Sequence, residues 1–130
     1  MSHGIVYGNH NTAIVRNATF NVTFMGIEGS GDDSALPEDA AMTLVENCTI
    51  TLNSPVYDDM NACVIVGWGG QMTVKNCTLT SNAHVASVLS KPASKITLED
   101  CTLTATDPSY DALYFHENVG TIEQINCTNQ

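Results

Sequence analysis

Apolar and polar residues alternate in short stretches along this chain, and one phrase returns five times at the end of such a stretch. The copies are Asn17-Ala18-Thr19-Phe20, Asn47-Cys48-Thr49-Ile50, Asn76-Cys77-Thr78-Leu79, Asp100-Cys101-Thr102-Leu103 and Asn126-Cys127-Thr128-Asn129, starting 30, 29, 24 and 26 residues apart. Two positions before each Asn/Asp stand Val15, Val45, Val74, Leu98 and Gln124, and one position after it stand Ala18, Cys48, Cys77, Cys101 and Cys127. Alternation at period two predicts strands buried on one face. The Asn/Asp breaks the alternation, which predicts a sharp bend at a residue that tolerates a left-handed backbone. A repeat of this length predicts stacked coils. The expectation is an all-β, right-handed parallel β-helix of about five coils with three short strands per coil and an Asn/Asp ladder (Asn17, Asn47, Asn76, Asp100, Asn126) at one turn.

On these residues the chain resembles the pectate-lyase-like superfamily, whose coils often stack an asparagine at a sharp turn. The resemblance spans about residues 4–129 and is specific for fold. It implies no single chemistry, because that superfamily holds lyases, hydrolases, adhesins, phage tailspikes and inert spacers.

A second set of segments aligns upstream of the phrase: Gly4–Gly8, Cys63–Gly67, Ser87–Lys91 and Leu113–Glu117. The expected inward column is Val6, Ile65, Leu89 and Phe115. Their neighbours Ile5, Val64, Val88, Tyr114 and Tyr7, Val66, Ser90, His116 are then expected outside, beside Trp68. Such an apolar, aromatic outer face predicts an interface, with Tyr7, Val64, Val66, Trp68, Tyr114 and His116 as the partner-binding residues. Residues 25–39, rich in glycine and acid, read as an irregular loop within one domain of residues 1–130.

Composition sharpens this reading. Four Lys/Arg against fourteen Asp/Glu give a formal charge of −10, and the isoelectric point is about 4.4. That balance repels nucleic-acid phosphates and suits cations, basic protein surfaces or neutral ligands. No apolar run reaches membrane-span length and no signal peptide is visible, so the expected setting is the cytoplasm, or an excised extracellular or phage domain. The cysteine column (Cys48, Cys77, Cys101, Cys127) and Cys63 read as small buried hydrophobes, with no metal-ligand spacing. Five Asn-x-Thr triplets, at Asn17, Asn21, Asn47, Asn76 and Asn126, read as turn residue plus outward threonine. Neither end carries a polar cap, which predicts self-association or a longer parent chain.

Candidate chemistry is sparse. The acidic turns at Asp32-Asp33, Asp58-Asp59 and Asp111 stack in this scheme and are a possible calcium site, calcium being the one cofactor considered. Ser2-His3-Gly4 is similar to the Ser-His-Gly of polygalacturonases, but the Asn-Thr-Asp and Arg-Ile-Lys motifs of that family are missing. The sole arginine, Arg16, abuts the asparagine turn, away from the acidic rim. His3, His10, His84 and His116 share no column and read as surface residues. Thr49-Ile50-Thr51, Thr78-Leu79-Thr80 and Thr102-Leu103-Thr104 form a lattice that resembles the Thr-x-Thr face of β-helical ice-binding proteins. The leading expectation is a non-enzymatic binding or adhesion module engaging a glycan or protein. The alternatives are an acidic phage-type inhibitor or decoy for a basic protein, a degenerate polysaccharide lyase or hydrolase, and ice binding.

Overall fold

Asn17, Asn47, Asn76, Asp100 and Asn126 all adopt φ between 51 and 56°, and the chain turns one corner at each of them. The computed structural model describes residues 3–8, 12–31, 42–58 and 60–130, giving the backbone path alone for most of the first strand. Fifteen strands are assigned among the described residues. They are β1 (His3–Gly8), β2 (Thr12–Arg16), β3 (Thr19–Val22), β4 (Met25–Ser30), β5 (Met42–Glu46), β6 (Thr49–Leu52), β7 (Ala62–Gly67) and β8 (Gln71–Lys75), then β9 (Thr78–Ser81), β10 (His84–Val88), β11 (Lys95–Glu99), β12 (Thr102–Ala105), β13 (Leu113–Phe115), β14 (Thr121–Ile125) and β15 (Thr128–Asn129). They form three five-stranded sheets: A (β1-β4-β7-β10-β13), B (β2-β5-β8-β11-β14) and C (β3-β6-β9-β12-β15). Every pairing is parallel. The chain winds A, B, C five times as a parallel β-helix, with the Asn/Asp corner between B and C.

The phrase positions stack as columns. In sheet C, Phe20, Ile50, Leu79 and Leu103 pair in turn, and so do Thr19, Thr49, Thr78, Thr102 and Thr128. In sheet B, Val15, Val45, Val74 and Leu98 do the same. Ile50, Leu79, Leu103, Val45, Val74 and Leu98 are essentially solvent-free, each worth about 2 kcal/mol of apolar burial. Backbone bonds run unbroken through the corner, from Thr49 N to Ala18 O, Thr78 N to Cys48 O, Thr102 N to Cys77 O and Thr128 N to Cys101 O. The five cysteines are free, and all but the half-buried Cys127 are buried. The Cys77 thiol donates to Lys75 O (3.2 Å) and the Cys101 thiol to Glu99 O (3.4 Å) and Val74 O (3.3 Å). Cysteine suits this corner because it is small and apolar and can still donate weakly to turn carbonyls.

Residues 25–30, expected to begin an irregular loop, are instead β4, the sheet A strand of the second coil. Glycine obscured it. A Cβ on Gly26 would lie 2.2 Å from Cys63 O, so this glycine marks a close approach of two strands, not a loop.

Candidate binding face on sheet A

The outer face of sheet A carries the candidate site, although part of its expected composition is wrong. The register pairs Val64 with Ala86 and Val66 with Val88, and β10 pairs Ala86 with Leu113, Ser87 with Tyr114 and Val88 with Phe115. Val64 and Val66, expected outside, are fully buried in the main core together with Ala86 and Val88. Ile65, expected inside, joins Met25 and Ala62 in a separate cluster covered by Phe24, Met60 and Leu89. β7 is apolar throughout and buried on both sides, so period two leaves no trace in it and its inward face differs from the expected one. Tyr114 does stand in the outward column, beside Ser87 and Ile65. The side chain of Tyr7 lies outside the described residues.

Above this covered layer lies a cleft of about 390 Å³, lined by Glu28, Ser30, Asp58, Met60, Gly67, Trp68, Leu89, Ser90 and His116. Trp68 is 47 % exposed and sits at the turn from sheet A to sheet B with φ 54°. An aromatic residue rarely adopts a left-handed backbone, which costs about 1–2 kcal/mol. The Lys91 ammonium lies 5.8 Å from the indole centroid, within cation–π range. Ser90 and Glu117, at the equivalent turns of the next coils, are also left-handed, at φ 74° and 58°. His116 Nε2 lies 3.7 Å from Glu117 Oε1, and its Nδ1 lies 3.4 Å from the Tyr114 hydroxyl.

Next to the cleft is an aromatic cluster centred on His84. Expected at the surface, this residue is only 2 % exposed. Its Nδ1–H donates to the Asp111 carbonyl, which leaves Nε2 to accept from the Tyr57 hydroxyl at 2.9 Å. Tyr114 stacks on the imidazole with ring centroids 4.3 Å apart, and Tyr57 stacks on Tyr110 at 4.1 Å. The Tyr57–Tyr110 pair borders a second, polar cleft of about 180 Å³ lined by Ser54, Pro55, Val56, Asn82, Ala83 and Asp107. Sequence reasoning missed Tyr57, Tyr110 and His84. A signal was present in the repeated Tyr57-Asp58 and Tyr110-Asp111 dipeptides, where the tyrosine recurs as regularly as the acid.

The remaining candidates fall in several places. Asp32, Asp33 and Asp59 of the possible calcium site lie outside the described residues. The Asp58 carboxylate accepts from Met60 N at 2.9 Å, closing its own turn. Asp111 is exposed, and no group of three His, Cys, Asp or Glu suited to a metal ion occurs among the described residues. The threonine lattice is in register, Thr51, Thr80 and Thr104 forming its second column behind Asn21. Burial pushes the Cys63 thiol up to about 12. The hydrogen bond with Cys101, then burial, also raises Cys77. These thiols are protonated packing groups, not nucleophiles.

Charge is divided between the sheets. Arg16 Nε lies 3.4 Å from Glu46, Lys75 Nζ 3.7 Å from Glu99 and Lys95 Nζ 3.4 Å from Glu123. Three of the four Lys/Arg in the chain are thus spent on sheet B. The fourth, Lys91, follows sheet A strand β10; among the described acids Glu28 lies in β4, Asp58, Asp107 and Asp111 in the turns that lead from sheet C into sheet A, and Glu117 just after β13.

The stacked parallel sheets and their shared corner define a parallel β-solenoid, consistent at fold level with the pectate-lyase-like superfamily. A family model described as a right handed beta helix region matches residues 1–130; the chain belongs to the right-handed β-helix family. Comparison with curated proteins and with solved structures gives no match.

Proposed function

We propose that this protein is a non-enzymatic binding module that engages a protein partner through the outer face of sheet A. One observation carries the reading: a half-exposed tryptophan held in a left-handed conformation at the rim of a cleft with carboxylates in its walls. Strain of this kind gathers at functional positions, and tryptophan is a common interface anchor. The acidic surroundings favour a basic partner surface. Trp68 is the only tryptophan, so its fluorescence reports on the face directly. Trp68→Ala is expected to weaken partner binding, measured by calorimetry, by about 2 kcal/mol. Full affinity in that variant removes the proposed role.

A glycan is the second reading, favoured by the stacked Tyr57–Tyr110 rings beside Ser54, Asn82 and Asp107. Aromatic faces pack on sugar rings while amide and hydroxyl groups bond their hydroxyls. A glycan array read with the wild-type protein and a Tyr110→Ala variant separates the two. Retained protein binding with lost array signal assigns the sugar to the polar cleft.

A further inference from the structure

We infer that the cleft beside Trp68 receives an arginine side chain from a basic protein partner; this rests on the binding reading above and adds the chemistry of the group that is bound. The lining has two parts. Met60, Leu89 and the Trp68 indole supply apolar surface, while Glu28 and Asp58 carboxylates and the Ser30 and Ser90 hydroxyls supply acceptors. A ligand that satisfies both must be flat and weakly hydrated on its faces and rich in donors at its edge. A guanidinium has that shape: it stacks on aromatic rings and presents five N–H groups in a plane. Its bonds to carboxylates are charge-assisted, stronger than those a neutral ligand could make to the same oxygens.

Two further observations point to a cation. The indole already attracts one from this chain, since the Lys91 ammonium stands 5.8 Å from the ring centroid, and Trp68 remains 47 % exposed to a ligand. The division of charge supplies the long-range part. Sheet B is internally compensated by the Arg16–Glu46, Lys75–Glu99 and Lys95–Glu123 pairs, whereas among the described residues Glu28, Asp58, Asp111 and Glu117, in sheet A or the turns next to it, stand against Lys91 alone. The field of these carboxylates draws a basic surface toward the cleft and repels an acidic one. Lysine could use the field, but its compact, strongly hydrated ammonium lacks the stacking plane.

The probe is the peptide acetyl-Gly-Arg-Gly-Arg-Gly-amide, with its lysine counterpart and its citrulline counterpart, in which the guanidinium becomes a neutral urea of the same shape. Binding is followed by Trp68 fluorescence and by calorimetry at physiological salt. The arginine peptide is expected to perturb Trp68 and bind best, the lysine peptide several-fold more weakly, and the citrulline peptide not measurably. The double substitution Glu28→Gln with Asp58→Asn is expected to weaken the arginine peptide about tenfold or more. At position 58 asparagine keeps the oxygen that accepts from Met60 N. The control pair Glu46→Gln with Glu99→Gln removes equal charge from sheet B and is expected to stay within about twofold of wild type. Equal binding of the citrulline peptide overturns the inference, as does an equal loss in the control, which would mean diffuse attraction. If a glycan or another protein perturbs Trp68 while none of the peptides does, the arginine cleft falls and the binding face stands. If no ligand that binds perturbs Trp68, both fall. The citrulline comparison uses the native chain and is decisive even where the double variant folds poorly.

Discussion

Where sheet B passes into sheet C, the backbone must take a left-handed turn once per coil, and the residue at that point carries the cost. Asparagine and aspartate tolerate this region better than other non-glycine residues because their short polar side chains bond locally. Asn76 isolates the effect, since its φ is 51° and its side chain is exposed. Asn76→Ala is expected to lose about 1 kcal/mol of stability, while Asn76→Gly stays within about 0.5 kcal/mol of wild type. Equal losses in urea denaturation would mean that the corner is held by side-chain bonding instead. Trp68, at the turn from sheet A to sheet B, adopts the same left-handed backbone without that help. The ladder could be read from residue identity because its demand is local. The Trp68 conformation could not, because nothing in its neighbourhood announces a left-handed tryptophan except Gly69, itself at φ 81°.

At the level of strands, sheet B explains how a parallel stack keeps its register. Arg16, Glu46, Lys75 and Glu99 pair in succession along one outward column, alternating in sign from coil to coil. Opposite charges set directly beside each other stabilise adjacent strands modestly, and like charges oppose them. Glu46→Lys puts a third positive charge between Arg16 and Lys75, three like charges in a row. It is expected to cost about 1 kcal/mol at low ionic strength, with most of the loss regained in about 1 M salt as the charges are screened. A loss independent of salt in denaturant titrations would refute the charge ladder. Strands also differ in how plainly they are written. β8 and β11 alternate between half-buried and buried residues and were legible, whereas β7 is buried on both faces and was not. Its sides were assigned by what packs on them, Phe24, Met60 and Leu89 from outside and Ile27, Val85 and Val88 in the core. β4 was hidden for another reason, since a strand that needs glycine for close approach looks like a loop.

Across the whole molecule, the three sheets share one core running along the stack, from Val22 and Ile27 through Leu79 to Leu103. Such a core transmits the loss of any one layer to its neighbours. Leu79, solvent-free in the middle coil, is the sharpest test: Leu79→Ala is expected to destabilise by about 3 kcal/mol. Trp68 fluorescence and far-UV circular dichroism should then report the same shifted midpoint. Separate midpoints would show coils that melt independently. Among the described residues no further coil packs on the far side of the fifth, where Phe115 is exposed and Leu113, Ile122 and Cys127 are half-buried. The amino-acid order was sufficient for the repeat, the corner, the three-strand coil, the threonine and cysteine columns and the excess of acid. Each of these follows from a period or a backbone demand contained within a few residues. The cleft, the burial of His84 between tyrosines, the inward turn of Val64 and Val66, and the pairing of the sheet B charges were settled only by the stacking. They depend on which side chains from different coils meet, and a run of uniformly apolar residues carries no record of which way it faces.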